Sequence, residues 1–114
     1  MSRSEKVYIQ DIVESINMIF KYTEHKSESE FLNDFMLQDA VIRRFEIIGE
    51  AASKISEELK AKAPEVEWRL MKGMRNKLIH EYFGIIPATV YMTIKVDLAI
   101  LKEQMETLIK KGYL

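Results

Sequence analysis

The sequence predicts an all-α protein, an up-and-down bundle of four main helices that pairs into a homodimer. Three observations carry that expectation. Apolar residues recur at three- and four-residue spacing over long stretches, the signature of helices with one buried face. No stretch shows sustained apolar–polar alternation, and only four Gly and two Pro interrupt 114 residues. The chain is 47% hydrophobic, enough to build a core, yet a chain this short often gains stability by pairing with a copy of itself. The length fits a single domain spanning residues 1–114.

The first helix is expected from Ser4 to Thr23, with Ile9, Ile12, Val13, Ile16, Ile19 and Phe20 as its buried stripe. The polar run from Glu24 to Glu30 reads as a loop. Within it Ser27 and Glu30 stand at capping-box spacing, so a short helical turn around Phe31 is expected. A long helix follows, roughly Asp34 to Ala61. Its stripe is Leu37, Val41, Ile48, Ala52, Ile55 and Leu59, flanked by Ala40, Phe45 and Ala51, and Gly49 suits close approach of a neighbour. Pro64 suits the first turn of a third helix, about Pro64 to Tyr82, and Gly84 suits its end. Pro87 opens a fourth helix, with Val90, Ile94, Leu98, Leu101, Met105 and Leu108 facing inward. Short connections between long amphipathic helices make neighbours antiparallel.

Composition narrows the function classes. Net charge is −1, so nucleic-acid binding would need a local basic patch rather than a global field. The absence of cysteine removes disulfides, thiol nucleophiles and Cys-ligated zinc. No cluster of Asp, Glu and His has metal-ligand spacing, so no metal or other cofactor is expected. No apolar run reaches the length of a membrane span, and the first ten residues lack a signal-peptide pattern. A cytoplasmic protein is the expectation.

Chemistry concentrates in Arg75-Asn76-Lys77-Leu78-Ile79-His80-Glu81-Tyr82. The one other histidine is His25. Taken singly, each residue has a plain structural reading. His80 fits a surface cation near a helix end, Tyr82 a core phenol, Lys72 and Lys77 a solvated face, and Arg75 an ion pair. Around a helix Arg75 falls about 40° from Met71, inside an apolar sector that also holds Met74, Leu78 and Tyr82. Arg44 sits similarly on the long helix; Asp39, Glu46 and Glu50 are candidate partners for either arginine, and for Arg44 a snorkelling side chain is preferred. Arg75 and His80 point about 140° apart, whereas Arg75 and Tyr82 stack. One protomer thus offers a single imidazole. A second copy across a two-fold axis would bring another to the same cleft and supply both an acid and a base.

These residues resemble the R-x4-H-x-Y motif of the HEPN superfamily, in its HepT-like branch. The resemblance extends to Asp39-Ala40-Val41-Ile42-Arg43-Arg44 and Ile47-Ile48-Gly49-Glu50-Ala51-Ala52 on the long helix, and to the flanks Met74-Arg75-Asn76 and Tyr82-Phe83-Gly84-Ile85. R-x4-H alone is a weak pattern; two signatures in order on suitable helices are far more specific. The N-terminal helix and Thr23 to Asn33 add little. The resemblance implies a metal-independent endoribonuclease acting as a symmetric dimer. Such proteins are typically the toxin of a toxin–antitoxin pair whose partner is an MNT-type nucleotidyltransferase. It implies Arg75 and His80 as catalytic residues and Tyr82 as the position that accepts AMP from that partner. Asn76, Lys72 and Lys77 are the expected substrate contacts.

Elementary chemistry agrees. RNA supplies its own 2′-hydroxyl nucleophile, histidine can act as base or acid near neutrality, and arginine binds phosphate oxygens bidentately. Arg69, Lys72, Arg75 and Lys77 would form a phosphate track. The competing expectations are a non-catalytic HEPN subunit that binds a nucleotide or a partner enzyme, and a helical dimerisation module in which the motif is a core ion pair.

Overall fold

The computed structural model describes residues 4–72 and 86–112. All regular structure among them is helical: α1 (Glu5–Thr23), α2 (Glu28–Leu32), α3 (Phe35–Ser53), α4 (Glu57–Ala61), the opening of α5 at 68–72, α6 (Pro87–Val96) and α7 (Leu98–Lys110). None of these helices is long and apolar enough to cross a membrane.

α1 starts where Ser4 accepts from the Lys6 amide. Its residues Ile9, Ile12, Ile16 and Ile19 are fully buried, at the expected spacing. They pack chiefly on α3, whose Val41, Phe45, Ile48 and Ala52 face inward. Val13 and Phe20, on the edge of the α1 stripe, are half-buried against the same core. Gly49 is buried. The Ser15 hydroxyl is buried within this packing and, among the described residues, lacks a hydrogen-bond partner.

The link from α1 to α3 is built from local chemistry. Lys26 N–H donates to the Thr23 carbonyl. Glu24 is extended (φ −54°, ψ 129°) and His25 takes a positive φ of 61°. That is the pattern of a type II turn, in which the third residue is usually Gly or Asn. The expected capping box then appears in full: Ser27 Oγ accepts from the Glu30 amide and Glu30 Oε1 accepts from the Ser27 amide. It starts a helix of five residues that buries Phe31 completely.

Three boundaries differ from the sequence expectation. The long helix does not run from Asp34 to Ala61. It stops at Ser53, Lys54 ends it, and a new helix starts at Glu57 with Ser56 as its cap. The break is held from a distance, because the Ser56 amide donates to Glu5 Oε1 at 2.6 Å. Ile55 and Leu59 remain buried as expected. Second, Pro64 is not in the first turn of the third helix. It occupies the second position of a turn closed by Val66 N–H donating to the Ala63 carbonyl, where its fixed φ is suited. Helix begins at Trp68. Third, the helix opened by Pro87 is interrupted at Asp97, giving α6 and α7. The expected inward stripe survives the interruption. Val90, Ile94, Leu98, Met105 and Leu108 are buried and Leu101 is half-buried.

The contact from Glu5 to Ser56 places the start of α1 beside the end of α3, so these two helices are antiparallel. α6 begins against α2, where the Phe31 and Tyr91 rings lie 5.5 Å apart and Tyr91 Oη donates to the Lys26 carbonyl. α7 reaches the 63–67 turn, where Gln104 Nε2 donates to the Glu65 carbonyl. α6 and α7 therefore run in the same sense as α3, and α7 packs on α1. These directions are those of an up-and-down bundle.

Candidate functional site

Five of the six predicted site residues, Arg75, Asn76, Lys77, His80 and Tyr82, lie outside the described residues, as does Gly84, the expected end of the third helix. The sixth, Lys72, is exposed on α5. What the structure does give is the frame from which that segment departs and to which it returns.

The departure point is well anchored. Trp68 is buried, and its Nε1–H donates to the Ala63 carbonyl at 3.1 Å. Met71 is buried on the same side, and its amide bonds to the Glu67 carbonyl, closing the first helical turn. Burying Trp68 and Met71 fixes the roll of α5, so Arg69, Leu70 and Lys72 are turned to solvent. The return point is Ile86, which precedes Pro87 at the start of α6. Arg69 and Lys72, two residues of the expected phosphate track, are exposed. Immediately before them stand two exposed carboxylates, Glu65 and Glu67.

A groove that the sequence did not signal adjoins this frame. It lies between α3, the 63–67 turn, α5 and α7, with a cavity volume of about 580 Å³. Ile48, Met71 and Leu98 form an apolar floor. Leu70, at 67% exposure, and Ile100, at 55%, stand at its rim. Both lie off the inward stripes of their helices, which is the one signal that could have found it.

The long-helix arginines separate into two roles. Arg43 pairs with Glu46 at 3.4 Å on the surface, so one proposed partner of Arg44 is engaged by its neighbour. Glu50 approaches Lys54 at 3.9 Å. Arg44 is half-buried, as a snorkelling side chain would be. The other histidine, His25, is exposed in the α1–α2 turn with Nε2 3.4 Å from Glu24 Oε1. Among the described carboxylates, Glu30 is held below its ordinary value of 4.5. The Ser27 amide hydrogen bond is the main cause, followed by the Ser27 hydroxyl and Lys26.

Comparison with known proteins gives a consistent result. A family model described as ribonuclease HepT-like matches residues 12–108. The match includes the Arg75–Tyr82 motif, and it also takes in the 23–33 segment, where the sequence offered little signature. The chain is 44% identical over 110 residues to a Thermococcus cleftensis protein named "Probable ribonuclease HepT", covering 96% of this chain and all of that one. It is 40% identical over 104 residues to "Putative RNase MJ1380" of Methanocaldococcus jannaschii, covering 91% and 95% of the two chains. It is 31% identical over 109 residues to "Putative RNase TTE0752" of Caldanaerobacter subterraneus, covering 96% and 97%. No solved structure matches significantly.

Proposed function

Because the chain belongs to the HepT-like ribonuclease family, we propose that it is a metal-independent endoribonuclease and the toxin of a toxin–antitoxin pair. The observation that carries this reading is the intact Arg75-x4-His80-x-Tyr82 pattern in a chain that matches the family over 12–108.

In this reading the protein acts as a two-fold dimer in which two copies of His80 serve one cleft. One imidazole removes the proton of a ribose 2′-hydroxyl. The 2′-oxygen forms a bond to phosphorus, the bond from phosphorus to the 5′-oxygen breaks, and the second imidazole protonates that leaving oxygen. The products are a 2′,3′-cyclic phosphate and a 5′-hydroxyl. Arg75 stays charged throughout and binds the phosphate oxygens as negative charge builds on them. Lys72, Asn76 and Lys77 hold the adjoining backbone. On an MNT-type nucleotidyltransferase the Tyr82 hydroxyl oxygen bonds to the α-phosphorus of ATP, loses its proton and displaces pyrophosphate, and the AMP gained adds bulk and a negative phosphate where RNA would bind.

The deciding experiment is cleavage of RNA by the purified protein in EDTA, beside His80→Ala and a substrate with one deoxyribose on the 5′ side of the cut. The parent should cut the all-ribose substrate, and neither change should leave cleavage intact. Loss of parent activity in EDTA, or normal cutting of the deoxy substrate, overturns the mechanism. Intact-mass analysis with the nucleotidyltransferase and ATP tests the regulatory step. AMP on Tyr82→Phe as readily as on the parent overturns that assignment.

A further inference from the structure

We propose that the groove between α3, the 63–67 turn, α5 and α7 is a docking site for a basic amphipathic helix of a partner protein. This inference does not depend on the nuclease reading.

The groove combines two features that select such an occupant. Its floor is carbon, from Ile48, Met71 and Leu98, and Leu70 and Ile100 extend that surface outward. Its charged lining residues, among those described, are all acidic: Glu65, Glu67 and Asp97. An apolar trough edged with carboxylates is the complement of a helix with leucine-like anchors on one face and Lys or Arg beside them. The space of about 580 Å³ suits a few apolar side chains rather than a whole domain. The walls are held in place, because Gln104, itself a lining residue, donates to the Glu65 carbonyl and Trp68 donates to the Ala63 carbonyl.

The same charges disfavour the other occupants. Nucleic acid would bring phosphates against three carboxylates. A second copy docked across a two-fold axis would have to meet these carboxylates with basic groups from elsewhere on its surface. A cationic helix gains from every one of these groups.

The test uses the full chain and a defined probe, a fluorescent helical peptide of about 18 residues with leucines at i, i+3, i+4 and i+7 and lysines elsewhere. Anisotropy should show saturable binding. Glu65→Lys/Glu67→Lys/Asp97→Lys should weaken it by about tenfold or more, as should Ile100→Ser. Reversing Glu14, Glu28 and Glu58, which are exposed away from the groove, should leave it unchanged. A twin peptide with glutamate in place of lysine should not bind. Circular dichroism checks that each surface variant is folded. Equal binding of the twin, or equal loss from the distant reversal, overturns the proposal. So does a parent dimer that Ile100→Ser converts to a monomer, since a second copy would then fill the groove.

Discussion

The packing between α1 and α3 is closed, and the outer face of α5 to α7 is open. Between α1 and α3, four isoleucines at helical spacing are fully buried and the facing residues of α3 leave them no access to water. On the other side Leu70, Met92, Val96 and Ile100 are more than half exposed, although α6 and α7 bury an inward stripe as regular as that of α1. Met92, Val96 and Ile100 stand four residues apart and form a second apolar row on the outer face. Fold stability is invested where the chain closes on itself. Apolar surface unused by the fold also stands at the start of α3, where Phe35 and Met36 are 74% and 84% exposed; on α5 to α7 it adjoins the groove, where a binding function can use it.

Truncation should separate the two sides most sharply. Ile16→Ala should cost about 2–5 kcal/mol, because it opens a cavity in packed surroundings, whereas Ile100→Ala should stay within about 0.5 kcal/mol. Urea denaturation of the two variants measures the difference, and similar midpoints would erase the contrast. The junction between the sides should respond at an intermediate level. Trp68→Phe removes one of the two donors to the Ala63 carbonyl, Val66 N–H remaining, and should cost about 0.5–1.5 kcal/mol.

An effect of similar size and opposite sign is expected inside the closed side. Ser15→Ala removes a hydroxyl that is buried without a partner and favours helix, so it should stabilise by about 0.5–1.5 kcal/mol. Thermal melting resolves that gain, and a loss would show that the hydroxyl is engaged. The smallest expected effect lies at the α2 cap. The Glu30 carboxyl is lowered in the fold, so it stabilises above its ordinary value, and that contribution is lost as pH falls through the lowered folded value. The stability difference between the parent and Glu30→Ala should therefore be full at neutral pH and close below 4.5. A difference that grows on acidification would contradict the capping geometry.

Local rules made much of this legible in the sequence. The stripe of α1 is a matter of spacing alone, and the Ser27–Glu30 box needs only residues three apart, so both could be read directly. The breaks could not. Ser56 followed by Glu57 and Glu58 is a helix-start signal near Lys54, but the apolar spacing of Ile55 and Leu59 runs on through it, and the bond that holds the break comes from Glu5 at the far end of the sequence. The interruption at Asp97 leaves the apolar spacing undisturbed on both sides and so leaves no periodic trace. Pro64 suits a helix start and a turn equally well, and the Ala63–Val66 bond decided between them. The site was legible as a motif, through residue types and order. The acid-lined groove was not, because it joins Glu65 and Glu67 to Asp97 across a tertiary contact.

The bond from Glu5 to the Ser56 amide also has a proteolytic meaning. Lys54 and Lys60 bracket the junction between α3 and α4, and a carboxylate from the first turn of α1 fastens the backbone between them. The first turn of α1 thus acts as a latch on a joint some fifty residues away in sequence, beside which the exposed Lys54 offers trypsin a site. Shortening the N-terminus past Glu5, or a tag that draws that turn out of place, would expose the joint first and produce a nicked protein whose core is still folded. Shifts in the early cleavage pattern would then report on the N-terminus rather than on the site of cutting.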